Sequence, residues 1–172
     1  GTKITLGTVS SNGLSSNTHE LTFDIGSSLT NPAVFTQIQT NNDSNWVVTR
    51  VRNVTSSTFL LSLQEQESFS SHSHGEETVG YLAIEKGSNK SNGSHTIDVG
   101  ETSNSYTHSI GSQSFGTNFS ATPALIVKMA TRDGPDASNV RTTSISDSSF
   151  SAYIDEESSR DSEQNHTSEA LY

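Results

Sequence analysis

The segment Pro32-Ala33-Val34 returns as Pro123-Ala124-Leu125, 91 positions further along the chain. Held without a gap, the same offset carries Thr40 onto Thr131, Arg50 onto Arg141, Phe59 onto Phe150 and Glu65 onto Glu156. Single-residue changes, which belong in surface loops, then place His74 and Glu77 on His166 and Glu169. They also place Phe23 on Phe115, and Ile4-Thr5-Leu6-Gly7 on Ile97-Asp98-Val99-Gly100. Proline, phenylalanine, arginine and histidine are scarce here, so their coincidence is not a by-product of a Ser/Thr-rich chain. A duplication constrains the fold more than any local pattern, because each copy has to close a core of the same design. The expected organisation is a first repeat over 1–86, a polar turn-forming linker over 87–93 and a second repeat over 94–172.

Within each copy the apolar period is two. Phe59, Leu61 and Leu63 alternate with Leu60, Ser62 and Gln64, and the second copy repeats this as Phe150, Ala152 and Ile154 against Ser151, Tyr153 and Asp155. Such alternation is the mark of a strand with one buried face. Residues 32–40 and their copy, with Leu125, Val127 and Met129, read as strands led by proline, where no ladder donor is needed. Residues 47–54 and Ser138–Ile145 read as another matched pair. No window sustains a period near 3.6, and Gly, Ser, Thr and Asn interrupt every candidate helix. The fold class is therefore all-β, as two tandem antiparallel β-sandwich domains.

Thr78–Glu85 is apolar on both faces and reads as a central or interface strand. Its copy stops at Leu171-Tyr172, which align with Val79 and Gly80, so the second sandwich falls short of a full closing strand. Either the piece belongs to a longer chain or another strand is supplied, because an open edge beside an apolar groove invites strand addition.

Composition narrows the function. Only 29% of residues are hydrophobic, and the formal charge is −10 with a pI near 4.8. Nucleic acid is excluded as a partner, since phosphate neutralisation needs clustered Lys and Arg, and so is an anionic membrane surface. No apolar run approaches the roughly 18 residues of a membrane span, and no charged-then-apolar leader stands at Gly1, so a soluble, already processed extracellular or cell-surface piece is expected. The chain has no cysteine, which removes disulfides and thiolate metal sites.

Phe23, Asn31-Pro32-Ala33-Val34-Phe35, residues 51–59 (VRNVTSSTF) and Val79-Gly80-Tyr81-Leu82-Ala83-Ile84 together resemble the H-type lectin domain pattern. The resemblance covers most of residues 20–85 and, more faintly, 110–172. It implies a compact antiparallel β-sandwich, often trimeric, that binds sugars such as N-acetylgalactosamine. Two departures stand out: Tyr81 occupies a position where those lectins tend to carry tryptophan, and the acid–histidine pattern described next is not part of the lectin signature. That pattern is similar instead to tandem repeats of large secreted bacterial proteins, whose role is often polysaccharide or surface attachment.

The candidate site is the polar group Glu65, Glu67, His72, His74 and Glu77, matched by Glu156, His166 and Glu169 between the third good strand and the closing strand of each copy. Carboxylates and imidazoles on a loop rim can hydrogen-bond sugar hydroxyls, and Arg50 or Arg141 can add a forked donor. The same residues can instead form a cross-strand Arg–Glu and His–Glu network that fixes the loop. Bound metal is a third reading, with oxygen-seeking calcium favoured over zinc; no other cofactor is expected. Trp46, whose copy is Ala137, lies near a loop tip where its ring can stack on a sugar or pack half-buried. His19, His95 and His108 lack acidic partners at ligand spacing. Acids on a short loop of so small a domain do not make a deep cleft, so no enzyme activity is expected. The leading expectation is an extracellular polysaccharide- or glycan-binding, adhesive module, and the competing one is a structural spacer or filament subunit, homo-oligomeric through strand exchange.

Overall fold

The computed structural model describes residues 2–10, 20–26, 29–68 and 74–172, and contains no helix among them. The first repeat holds β1 (Ile4–Ser10), β2 (Leu21–Asp24), β3 (Pro32–Ile38), β4 (Val47–Arg52), β5 (Thr58–Glu65) and β6 (Thr78–Glu85). These form two antiparallel three-stranded sheets, ordered β1-β6-β3 and β2-β5-β4. The alternating residues Phe59, Leu61 and Leu63 of β5 meet Val34, Val79, Tyr81 and Ala83 of the facing sheet, and Ile25, Leu29 and Val51 complete the core. Phe59 is its hub, with ring centroids 5.9 Å from Phe23 and 5.4 Å from Tyr81.

Strand β6 is central because both its faces are apolar. Tyr81 points inward, donates its hydroxyl to the Ile25 carbonyl at 2.8 Å, and lies across Gly7 of β1. A Cβ on Gly7 would stand 2.6 Å from the Tyr81 ring, so the ring requires glycine there. On the opposite face, Ala33 and Ile84 pack against Val99 of the second repeat, flanked by Phe35, Ile97 and Tyr172.

The run read as a turn-forming linker is instead a hairpin, β7 (Gly87–Asn92) paired with β8 (His95–Val99). Gly93, at φ +65°, makes its turn, a conformation glycine enters without strain. Lys90 ties the hairpin back by donating to the Glu85 carbonyl at 2.7 Å.

In the second repeat, β9 (Gly111–Ser114), β10 (Ser138–Ile145) and β11 (Ser149–Glu156) form an antiparallel sheet ordered β10-β11-β9, the counterpart of β4-β5-β2. Phe115 and Phe150 repeat the Phe23–Phe59 contact at 5.6 Å. The other sheet is only a trace. Residues 123–129, expected as a strand, form no regular strand; their partner supplies only the bridge Met129↔Leu171 and reciprocal amide bonds between Lys128 and Tyr172. A strand without a hydrogen-bonded neighbour has no ladder to hold it extended.

One further expectation is revised. β5 was expected to bury one face, yet Ser62 and Gln64 on its other face are as buried as Leu61. Part of that cover is the second repeat, whose Pro135 carbonyl accepts a bond from Gln64.

Candidate functional site

Each repeat carries the same polar cluster, built in the same way. β5 ends on Glu65 and β11 on Glu156, while Glu77 and Glu169 stand one residue before Thr78 and Ala170. In the first repeat the His74 ring lies between two carboxylates, with Nδ1 3.2 Å from Glu65 Oε1 and Nε2 3.3 Å from Glu77 Oε1. In the second, His166 Nδ1 is 2.8 Å from Glu156 Oε1 and Nε2 3.2 Å from Glu169 Oε1.

The match extends to the loop that closes over the second acid. Glu77 accepts the Asn42 and Asp43 amides at 2.9 and 3.2 Å, and Glu169 accepts those of Asp133 and Gly134 at 3.0 and 3.1 Å. Thr40 and Thr131 donate their hydroxyls to Glu77 and Glu169 respectively. Each threonine oxygen then accepts the amide that follows the acid, that of Thr78, which opens β6, at 2.8 Å and that of Ala170 at 2.9 Å. These threonines were not read as site residues, although the 91-residue register had already paired them.

The clusters differ in what reaches them from outside. Arg50, on β4 of the first repeat, extends into the second repeat's cluster and donates Nη2 to Glu169 Oε1 at 2.7 Å. Its Nη1 is held by Gln64 Oε1 at 2.9 Å, Ser138 Oγ at 3.2 Å and the Asp136 carbonyl at 3.3 Å. Arg50 is 2% and Glu169 0% exposed, so the pair is sealed between the repeats. Arg141, the copy of Arg50, bonds Asp155 of its own sheet at 2.9 Å with a side chain 65% exposed. Around the buried pair, Glu20 accepts bonds from Arg52 and Arg132, while the Glu67 and Ser68 amides donate to Glu157 and Ser159 across the contact.

Charge and burial set the protonation states. Burial opposes ionisation of Glu169, but the His166 hydrogen bond and the Arg50 charge outweigh it and bring the pKa to about 2. Burial likewise disfavours the His166 imidazolium, yet bonds to Glu169 and Glu156 raise its pKa. Glu67 goes the other way, to about 7, through burial and then the nearby acids Asp136, Asp161, Glu157 and Glu156.

Expected site residues therefore fall into three groups. Glu65, His74, Glu77, Glu156, His166, Glu169 and Arg50 are buried in the two networks. Glu67 is half-buried at the contact between repeats, while Arg141 and Trp46 face solvent, Trp46 at 42% exposure beside the loop that closes the first cluster. His72 and His19 lie outside the described residues, and His95 and His108 are exposed.

Asp43, Glu65 and His74 bring ligand atoms within 4.8 Å of one another, as do Asp136, Glu156 and Glu163. In the first group both Asp43 oxygens already accept amides, from Asn45 at 3.0 Å and Gly75 at 2.9 Å, and both imidazole nitrogens face carboxylates. That leaves Glu65 Oε2, buried with no hydrogen-bond partner, as its one spare oxygen, beside His74 Nε2, which also has no hydrogen-bond partner although it lies 3.3 Å from Glu77 Oε1. One oxygen is far from the six to eight that calcium takes.

No protein-family model and no solved structure matches the chain, so the lectin resemblance gains no support beyond the all-β fold. Over 172 residues, 99% of its length, the chain is 30% identical to halomucin of Haloquadratum walsbyi, and it spans only about 2% of that protein. The similarity is thus to a small piece of a very long surface protein.

Proposed function

We propose that this chain is a non-catalytic structural segment of an extracellular surface protein, a pair of β-sandwich repeats locked into a rigid spacer. The observation that carries the reading is the buried Arg50–Glu169 pair, in which one repeat inserts a cation into the anion-binding loop of the next. The acid–histidine clusters are spent on holding their own loops and that cation, which is structural work. The similarity to halomucin supports an extracellular setting. Serine, threonine and asparagine on the surface, with net charge −10, suit a solvated spacer that resists association.

Small-angle scattering and thermal unfolding of the full chain test this reading. A rigid spacer gives one compact particle and one cooperative transition; Arg50→Ala separates the transition into two and lengthens the particle. A wild-type chain that already scatters as two loosely tethered bodies contradicts it.

A glycan-binding reading is favoured by one feature, the exposed Trp46 ring, since aromatic faces stack on sugars. Retardation on a polysaccharide gel that is lost with Trp46→Ala supports it, and migration that no polysaccharide alters removes it.

A further inference from the structure

Register brings three acids of the second repeat together at the end of β11. β10 pairs with β11 so that Ser138 stands opposite Glu156, which sets Asp136, two residues ahead of β10, beside the carboxylate that closes β11. Glu163 reaches the same place from the loop over 157–165, and ligand oxygens of Asp136, Glu156 and Glu163 lie within 4.8 Å of one another. We propose that these three carboxylates bind one calcium ion. The inference goes beyond the spacer reading and does not rest on it, because all three ligands belong to one repeat.

Glu156 is the first support. Its side chain is 2% exposed; Oε1 faces His166 Nδ1 at 2.8 Å, and Oε2 is buried with no hydrogen-bond partner. A buried carboxylate oxygen left bare has lost its hydration without replacement, and that penalty is larger for a charged group than for a neutral one. Beside it the Asp136 carboxylate takes no hydrogen bond among the described residues, whereas its carbonyl accepts from Arg50 and Ser138. Glu163 accepts the Asn165 amide on Oε1 only.

The first repeat is the second support, because it meets the same need differently. Asn45 is the copy of Asp136, and its Nδ2 donates to Glu65 Oε1 at 3.1 Å. An ionised acid in place of that amide can only accept, so the second repeat sets an anion against Glu156 where the first sets a donor. Among the described residues no Lys or Arg forms an ion pair with Asp136, Glu156, Glu163 or the neighbouring Glu157 and Asp161. Across the contact, burial and then the charges of Asp136, Asp161, Glu157 and Glu156 hold the Glu67 carboxyl up at about 7. A divalent cation relieves this crowding of like charge.

The donor set selects calcium. Oxygens held at about 2.3–2.6 Å from one calcium stand no more than about 5 Å apart across it, so atoms within 4.8 Å of one another can share the ion. All the donors are carboxylate oxygens, which suit hard cations, and both nitrogens of the nearby His166, which would favour zinc, already face Glu156 and Glu169. Ligands carried on loops give an irregular shell. Calcium accepts one, with water completing it, whereas magnesium demands a near-regular octahedron.

Calorimetry and thermal unfolding of the full chain, stripped with chelator and then titrated with calcium chloride, test the site. One equivalent should bind with a Kd of about 10⁻⁴–10⁻³ M, the range of extracellular calcium modules. At ten times that Kd, Tm should rise by about 3–6 °C. Asp136→Asn rebuilds the donor of the first repeat, so it should keep the chain folded without calcium yet weaken calcium at least tenfold. Glu163→Gln, at an exposed position, should weaken it as much, while Asp147→Asn, an exposed acid elsewhere, should leave it unchanged. Absence of both heat and Tm shift up to about 10 mM calcium, ten times the weakest Kd of that range, overturns the proposal. So does a Tm shift that sodium chloride of equal ionic strength reproduces, or calcium binding that either Asp136→Asn or Glu163→Gln leaves unchanged.

Discussion

Arg50 and Arg141 occupy the same position of the same strand in two copies of one domain, and their fates are opposite. Arg50 is sealed against Glu169, while Arg141 lies over its own sheet beside Asp155 with most of its side chain in water. The difference comes from the neighbour, because a second repeat packs on the Arg50 face. An exposed ion pair contributes little, since solvent screens it and two long side chains must be ordered to make it. A buried one has already taken both charges out of water, so removal of either partner strands the other.

The largest expected contrast follows. Arg50→Ala should destabilise the chain by about 3–5 kcal/mol, the cost of taking one partner out of a buried ion pair, while Arg141→Ala, a change at the surface, should leave stability essentially unchanged. Urea unfolding of the two variants checks this, and equal effects would break the contrast.

A second contrast pits Gly7 against Gly100. Gly7→Ala forces a methyl into the Tyr81 ring and should cost about 1–3 kcal/mol, whereas Gly100→Ala meets open space and should cost almost nothing. Thermal unfolding of both variants reads the difference.

Acidity sharpens the comparison further, because two acids at the contact act with opposite sign. Glu169, held near 2 when folded against a usual 4.5, contributes stability that is complete above pH 4.5 and lost as pH falls toward 2. Glu67, raised to about 7, binds its proton more tightly in the folded chain, so stability increases as pH falls from about 7 toward 4.5. His166, also raised, contributes stability that is present below its usual 6.5 and lost as pH rises through its folded value. Stability should therefore peak on the acid side of neutrality. Glu67→Gln should flatten the alkaline limb, and denaturant midpoints from pH 2 to 9 reveal it. Trp46→Ala, at a half-exposed loop, should have the smallest effect on stability, within about 0.5 kcal/mol.

Much of this architecture could be read from residues alone. The 91-residue register, carried by Pro32/Pro123 and Phe59/Phe150, corresponds in space to matched cores and to matched acid–histidine–threonine clusters. The double apolar face of Thr78–Glu85 marked the central strand. Two features were not readable. Local pattern shows that Glu65 and His74 are polar and near a loop, and polar loop residues are usually exposed; here residues 40–45, distant in sequence, close over them, with Asn45 donating to Glu65 and Thr40 and two loop amides donating to Glu77 on the other side of His74. Nor does any local signal distinguish Arg50 from Arg141, because the distinction is made by a surface brought in from the other repeat. Residues 123–129 teach the converse: their strand propensity is sound, but without a neighbour along 124–127 the propensity is not realised.

A double-mutant cycle on Arg50→Met and Glu169→Gln, followed by urea unfolding, tests most directly whether this pair joins the repeats. Each single substitution should be strongly destabilising, and the double variant should cost about 2 kcal/mol less than the sum of the two. Strict additivity, within about 0.5 kcal/mol, would contradict a shared buried joint between the two sandwiches.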